Sequence, residues 1–139
     1  MESLLFIALA GFFNSIMDIL FTNFEGSVFA NLNPLFWNPQ VSWKNKWAQP
    51  FSQPPEDKWY YFGFVPPYKE RFPYSSTIFV FLTDAWHLAK ALMLLVIMLS
   101  VVTYVPLTTF WGDVILHYVV FTGVFTIFYS YVWVGKKLF

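Results

Sequence analysis

Apolar residues run almost unbroken through residues 4–21, with Asn14, Ser15 and Asp18 as the clear polar interruptions. At about 1.5 Å of rise per residue the run reaches across most of a bilayer core, so it predicts a first membrane-spanning helix over about 4–22. Two further apolar runs, 77–105 and 108–134, are separated only by Pro106-Leu107, a connection short enough to make them an antiparallel hairpin. Each would be about 40 Å long as a helix against a hydrocarbon core of about 30 Å, so both must tilt or project into water. Met1-Glu2-Ser3 carries no basic residue, and the apolar stretch 4–7 before Ala8-Leu9-Ala10 is short for a signal-peptide core. The first run therefore reads as a span rather than a cleaved leader.

Residues 23–76 break the pattern and hold eight of the nine prolines. Asn33-Pro34, Asn38-Pro39, Pro54-Pro55 and Pro66-Pro67 each push the preceding residue away from helical geometry, which predicts a loop with at most short helical turns. Phe36, Trp37, Trp43, Trp47, Trp59, Tyr60, Tyr61 and Phe62 give this loop much to bury, and Trp and Tyr beside Lys is the mixture favoured at headgroup level. The expected fold class is an all-α membrane protein. It has three transmembrane helices, a long aromatic- and proline-rich interfacial loop between the first two, and a single membrane domain across 1–139.

Composition agrees: 58% of the chain is hydrophobic and 12% charged, where soluble domains lie nearer a quarter charged. A net charge of zero argues against a nucleic-acid partner. With no cysteine, a disulfide framework, thiolate catalysis and Cys-ligated metal centres are excluded. Lys44, Lys46, Lys58, Lys69 and Arg71 lie in the long loop and Lys136 and Lys137 at the C-terminus, on the same side of three spans. The positive-inside rule then places the loop and C-terminus in the cytoplasm and the N-terminus outside.

This topology brings a set of polar side chains toward the cytoplasmic side. Asn14 and Asp18 stack one turn apart on the first helix, and Asp84, His87 and Lys90 form a band along the second. Their convergence beneath the aromatic loop predicts a polar site built from Asn14, Asp18, Asp84, His87 and Lys90. His87 would be a general base oriented by a carboxylate, or Asp18, Asp84 and His87 a mixed oxygen and nitrogen set for a divalent metal. Trp43, Lys44, Lys46 and Trp47 would grip a lipid headgroup at the interface. The competing reading is structural: Lys90 snorkels to the headgroups or pairs with Asp18, and the polar groups serve as interhelical glue. Asp113 and His117, four apart on the third helix, form a separate pair at its outer end. Paired haem ligation by His87 and His117 is disfavoured, because the two lie about 10 Å apart in depth at the helical rise.

The strings Asn14-Ser15-Ile16-Met17-Asp18, Phe36-Trp37-Asn38-Pro39-Gln40-Val41-Ser42-Trp43-Lys44-Asn45-Lys46-Trp47 and Phe81-Leu82-Thr83-Asp84-Ala85-Trp86-His87 resemble a set found in small bacterial integral membrane proteins of uncharacterised activity. The resemblance implies that the three strings belong to one unit and brings no activity with it. The expected function is binding or processing of a lipid or amphiphile headgroup at the inner membrane, with metal assistance as an option. The alternative is a non-enzymatic accessory or oligomer-forming subunit, and self-association or a membrane partner subunit suits both.

Overall fold

The computed structural model describes residues 1–49 and 68–134. Its frame is three long helices with two short ones between the first and second: α1, Glu2–Thr22, the short α2, Pro34–Trp37, and α3, Pro39–Ser42, then α4, Ala85–Val102, and α5, Phe110–Ile127, which runs on through a wider π turn at Phe128–Val132. Among the described residues, three helices, Glu2–Thr22, Ala85–Val102 and Phe110–Val132, are long and apolar enough to cross a membrane.

α1 is the central element, packed against α4 on one side and α5 on the other. It is antiparallel to α4: Ser100 Oγ near the end of α4 donates to the Ser3 carbonyl at 3.1 Å, while Ile19 and Leu20 meet Ala85 at the opposite end. It is parallel to α5, since Trp133 Nε1 donates to Ser15 Oγ at 2.8 Å and the Thr22 and Tyr129 hydroxyls lie 2.9 Å apart. Small residues make the interfaces: Ser3, Ala10, Gly11 and Ser15 of α1 and Ala85, Ala89 and Ser100 of α4 are buried. In lipid, where apolar side chains gain little by leaving their solvent, helices associate by such close backbone approach. Gly11 shows it most directly, because a Cβ there would lie 2.5 Å from the Phe121 carbonyl oxygen. The outward faces carry large apolar groups such as Met98, Val102, Trp111, Ile115 and Tyr118, all exposed.

The second long helix is shorter than the apolar run suggests. Residues 77–84 form turns, including one 3-10 turn at Val80–Leu82, and α4 starts at Ala85. Thr77, Ile78, Phe79, Val80 and Phe81 are β-branched or aromatic, types that lose side-chain freedom in a helix. Asp84 then supplies a strong start signal, its side chain accepting from the His87 backbone N–H. The 18 residues of α4 span about 27 Å, so the expected excess length is mostly absent.

Both Asn-Pro pairs of the loop start helical turns. Asn33 accepts from the Leu35 N–H at 3.0 Å and Asn38 from the Gln40 N–H at 2.9 Å, each as a cap with proline in the first helical position. Phe29 stacks on Trp37 with ring centroids 4.7 Å apart and packs with Phe24 onto Ile19 and Leu20. Trp59, Tyr60, Tyr61, Phe62, Lys58, the prolines at 54, 55, 66 and 67, and the C-terminal Lys136 and Lys137 lie outside the described residues.

Candidate functional site

Two segments of the loop meet over the start of α4. The 3-10 turn Trp43–Lys46 precedes Trp47, which forms a single antiparallel bridge with Glu70. Beside it, the Ala48 N–H donates to the Lys69 carbonyl at 2.8 Å and the Arg71 N–H to the Lys46 carbonyl at 3.0 Å. Ser75 Oγ adds a bond to the Lys46 carbonyl at 2.7 Å. The Glu70 carboxylate accepts from the backbone N–H groups of Tyr74 and Ser76 at 3.0 and 2.9 Å, bracing the turn in which Tyr74 takes a φ of 64°.

Asn45 joins this loop to α4. Its Nδ2 donates to the Thr83 carbonyl at 2.5 Å, and its Oδ1 accepts from the Arg71 guanidinium. Thr83 and Asp84 are almost wholly buried. Asp84 uses both carboxyl oxygens: Oδ1 accepts from the His87 backbone N–H at 2.9 Å, and Oδ2 lies 2.6 Å from His87 Nδ1, while the Thr83 hydroxyl, 3.3 Å from Oδ2, donates to the nearer Val80 carbonyl at 2.7 Å. A carboxylate only accepts, so it holds the proton of neutral His87 on Nδ1 and leaves Nε2 as a bare acceptor. The His87 side chain is 36% exposed, which leaves that acceptor open to an incoming group. Asp84 is thus the carboxylate that orients the His87 ring.

The rest of the expected site is not assembled. Among the described residues, no group of three or more His, Asp and Glu side chains is placed to hold a metal ion, so Asp18 does not join Asp84 and His87 as a ligand set. Asn14 and Asp18 stay half-buried on α1 and make no side-chain hydrogen bond or ion pair with the α4 groups. Lys90 is exposed, with its amine 5.0 Å from the centroid of the Trp86 ring instead of paired with Asp18. The reason is local: Asp84 spends its acceptors on the helix start and on His87, and Trp86 lies one turn before Lys90 on the same helix.

The headgroup set divides as well. Trp43 is exposed with Lys44 over its ring at 5.7 Å, while Trp47 is buried against Tyr68 with Lys46 over it at 5.4 Å. Lys44 and Trp47, joined by Leu35, Asn45, Gln49 and Arg71, line a pocket of about 280 Å³. Two cations, two amides and an indole face it, and no acidic residue is among its described lining. Lys46 and Trp43 are outside it. Arg71 and Gln49 escaped the sequence reading because nothing in the spacing announces that residue 71 folds back on residue 45. Asn45 was visible only as the residue between two lysines.

His117 is remote from this end. Its ring packs on Tyr104 at 5.9 Å, and Tyr104 follows His87 by most of α4, about 25 Å at the helical rise. The two histidines therefore cannot ligate one haem iron. At that far end Asp113, 2% exposed, accepts from the Tyr104 hydroxyl at 2.6 Å, the Leu107 N–H at 3.0 Å, the Thr108 N–H at 2.9 Å and the Thr108 hydroxyl at 2.8 Å. These four bonds close the hairpin between α4 and α5.

Set against known proteins, the chain matches no family model, no curated protein and no solved structure.

Proposed function

We propose that the protein lies in a bacterial inner membrane, with the long loop and C-terminus cytoplasmic and the N-terminus outside, and binds or processes an anionic lipid or amphiphile headgroup at the loop-covered end of α4. The observation that carries this reading is the pocket of Lys44, Asn45, Arg71, Gln49 and Trp47, tied through Asn45 to the backbone of Thr83, next to the Asp84–His87 pair. Lys44 and Arg71 supply charge for a phosphate or carboxylate, and the guanidinium adds directional N–H donors. Trp47 and Leu35 form apolar walls for the glycerol or acyl stem. His87, carboxylate-oriented at the same end of α4 but outside the pocket's lining, is the proton acceptor assigned to the processing step. The membrane placement draws support from three apolar helices, their apolar outward faces and the distribution of Lys and Arg.

The test is lipid retention. Native mass spectrometry of protein purified from mixed phosphatidylglycerol and phosphatidylcholine bilayers should show phosphatidylglycerol retained by the unmodified protein. Retention should fall at least about tenfold in Lys44→Gln with Arg71→Gln, the loss of two charge-assisted contacts. Equal retention of both lipids, or no change in the double variant, removes the proposal. The accessory-subunit reading has its own supporting observation: Trp111, Ile115, Tyr118 and Val119 leave one apolar face of α5 exposed, free to meet lipid or a partner helix. A change in oligomeric state with no lipid preference favours that reading.

A further inference from the structure

The far end of the bundle holds a second pocket, of about 430 Å³, between α1, α4 and α5. Ile7, Val101, Phe110 and Val114 give it apolar walls, and Ser100, Tyr104, Asp113 and His117 supply the polar part of its lining. Its size falls within the range of small-molecule sites. The polar atoms here are unevenly used. Asp113 already accepts four hydrogen bonds, and the Tyr104 and Ser100 hydroxyls have donated to Asp113 and to the Ser3 carbonyl. His117 Nε2, by contrast, is buried with no hydrogen-bond partner among the described residues. Ser3 Oγ, the other buried side-chain atom in that condition, belongs to the same end of the bundle. A buried polar atom without a partner is costly, and His117, which lines the pocket, calls for a group that pairs with its Nε2.

The tautomer of His117 identifies that group. Its Nδ1 lies 2.7 Å from the Asp113 backbone carbonyl, which can only accept, so Nδ1 carries the proton and neutral His117 offers Nε2 as an acceptor. A ligand must therefore bring a donor. An ammonium group is a poor choice, because the pocket is mainly apolar and the nearby carboxylate has its acceptors filled. Ketones, ethers and esters bring no donor. We infer that this pocket binds an apolar molecule bearing a hydroxyl group, an aliphatic alcohol or a phenol, whose O–H donates to His117 Nε2 while its body lies against Ile7, Val101, Phe110 and Val114. This site is distinct from the cation-lined pocket and does not depend on it.

Naphthol and its methyl ether test the assignment, since they share an apolar body and differ in the donor. In detergent-purified full-length protein, naphthol should shift the nitrogen NMR resonance of His117 Nε2 and bind at least about tenfold tighter than the ether, the discrimination expected where an analogue leaves a buried acceptor unpaired. Decanol against its methyl ether separates an aliphatic from a phenolic preference, and selectivity for the hydroxyl in either pair supports the site. His117→Phe should remove the discrimination. Val114→Trp, which fills the pocket and leaves the histidine in place, should abolish saturable binding if the first variant does not fold. Equal binding of hydroxyl and ether forms, binding indifferent to Val114→Trp, or no saturable binding by either alcohol overturns the inference.

Discussion

Replacing Asp84 separates its two duties, because each carboxyl oxygen serves a different donor. Oδ1 caps α4 through the His87 backbone N–H, and Oδ2 holds the ring at 2.6 Å. Asp84→Ala removes both. Loss of the cap costs about 1 kcal/mol, and the unpaired ring N–H adds about 1 kcal/mol, at the low end of its range because His87 is partly exposed, for a total of about 2 kcal/mol. Asp84→Asn keeps one acceptor and places an amide N–H₂ where the other stood. With the carbonyl retained on the cap, the amide faces Nδ1 with a donor, so the ring proton must move to Nε2. Stability should then stay within about 0.5 kcal/mol of the unmodified protein, since Asn caps as well as Asp, while the tautomer inverts. Unfolding in a detergent-to-SDS titration measures the first quantity, and nitrogen NMR of His87 measures the second. An Asn variant that keeps both full stability and the Nδ1–H tautomer would refute the two-oxygen account, as would an Ala variant of unchanged stability.

Two other expectations rest on the same kind of geometry. Gly11→Ala places a methyl 2.5 Å from the Phe121 carbonyl oxygen, so α5 must move away from α1. The overpacking should cost about 1–3 kcal/mol, visible as a lower SDS midpoint, while an Ala substitution at exposed Leu5 serves as a near-neutral control. Tyr104, in the turn between α4 and α5, has its phenol pushed above the ordinary range by its hydrogen bond to Asp113, then by burial and by the nearby carboxylate charge. The folded protein thus holds this proton more tightly than the unfolded chain does. The stabilisation is fully present below the ordinary phenol value and is lost as pH rises through the elevated one. Amide exchange at Leu107 and Thr108 should accelerate over that alkaline interval, and in Tyr104→Phe the interval should vanish.

The local signals of this chain are strong where chemistry is local. Three apolar runs announced three long helices, because crossing a bilayer requires length and apolarity that can be counted along the chain. The three-residue spacing of Asp84 and His87 put them on one side of the helix, and a contact between them needs only one helical turn. The same spacing hid the helix boundary: apolarity does not distinguish a helix from the turns at 77–84, and the cap at Asp84 shows only once its backbone partner is in place. Depth along a helix was estimated well enough to part His87 from His117. Rotation about it was not, so Asn14 and Asp18 were expected to meet groups they do not bond.

The sequence by itself determined the helical frame, the short-range pairs and the segregation of Lys and Arg to one set of connections, all properties set by residues close together in the chain. Tertiary structure decided which polar groups share a site. Arg71 reaches Asn45, Asn45 reaches Thr83, and Trp133 reaches Ser15 across separations of 26, 38 and 118 residues. Such contacts depend on how helices rotate and how a loop folds back, and these follow from packing small residues such as Gly11 against a neighbouring backbone. For the same reason the Asp84–His87 pair was legible in the sequence, whereas the cation pocket beside it and the unpaired His117 nitrogen at the far end were not.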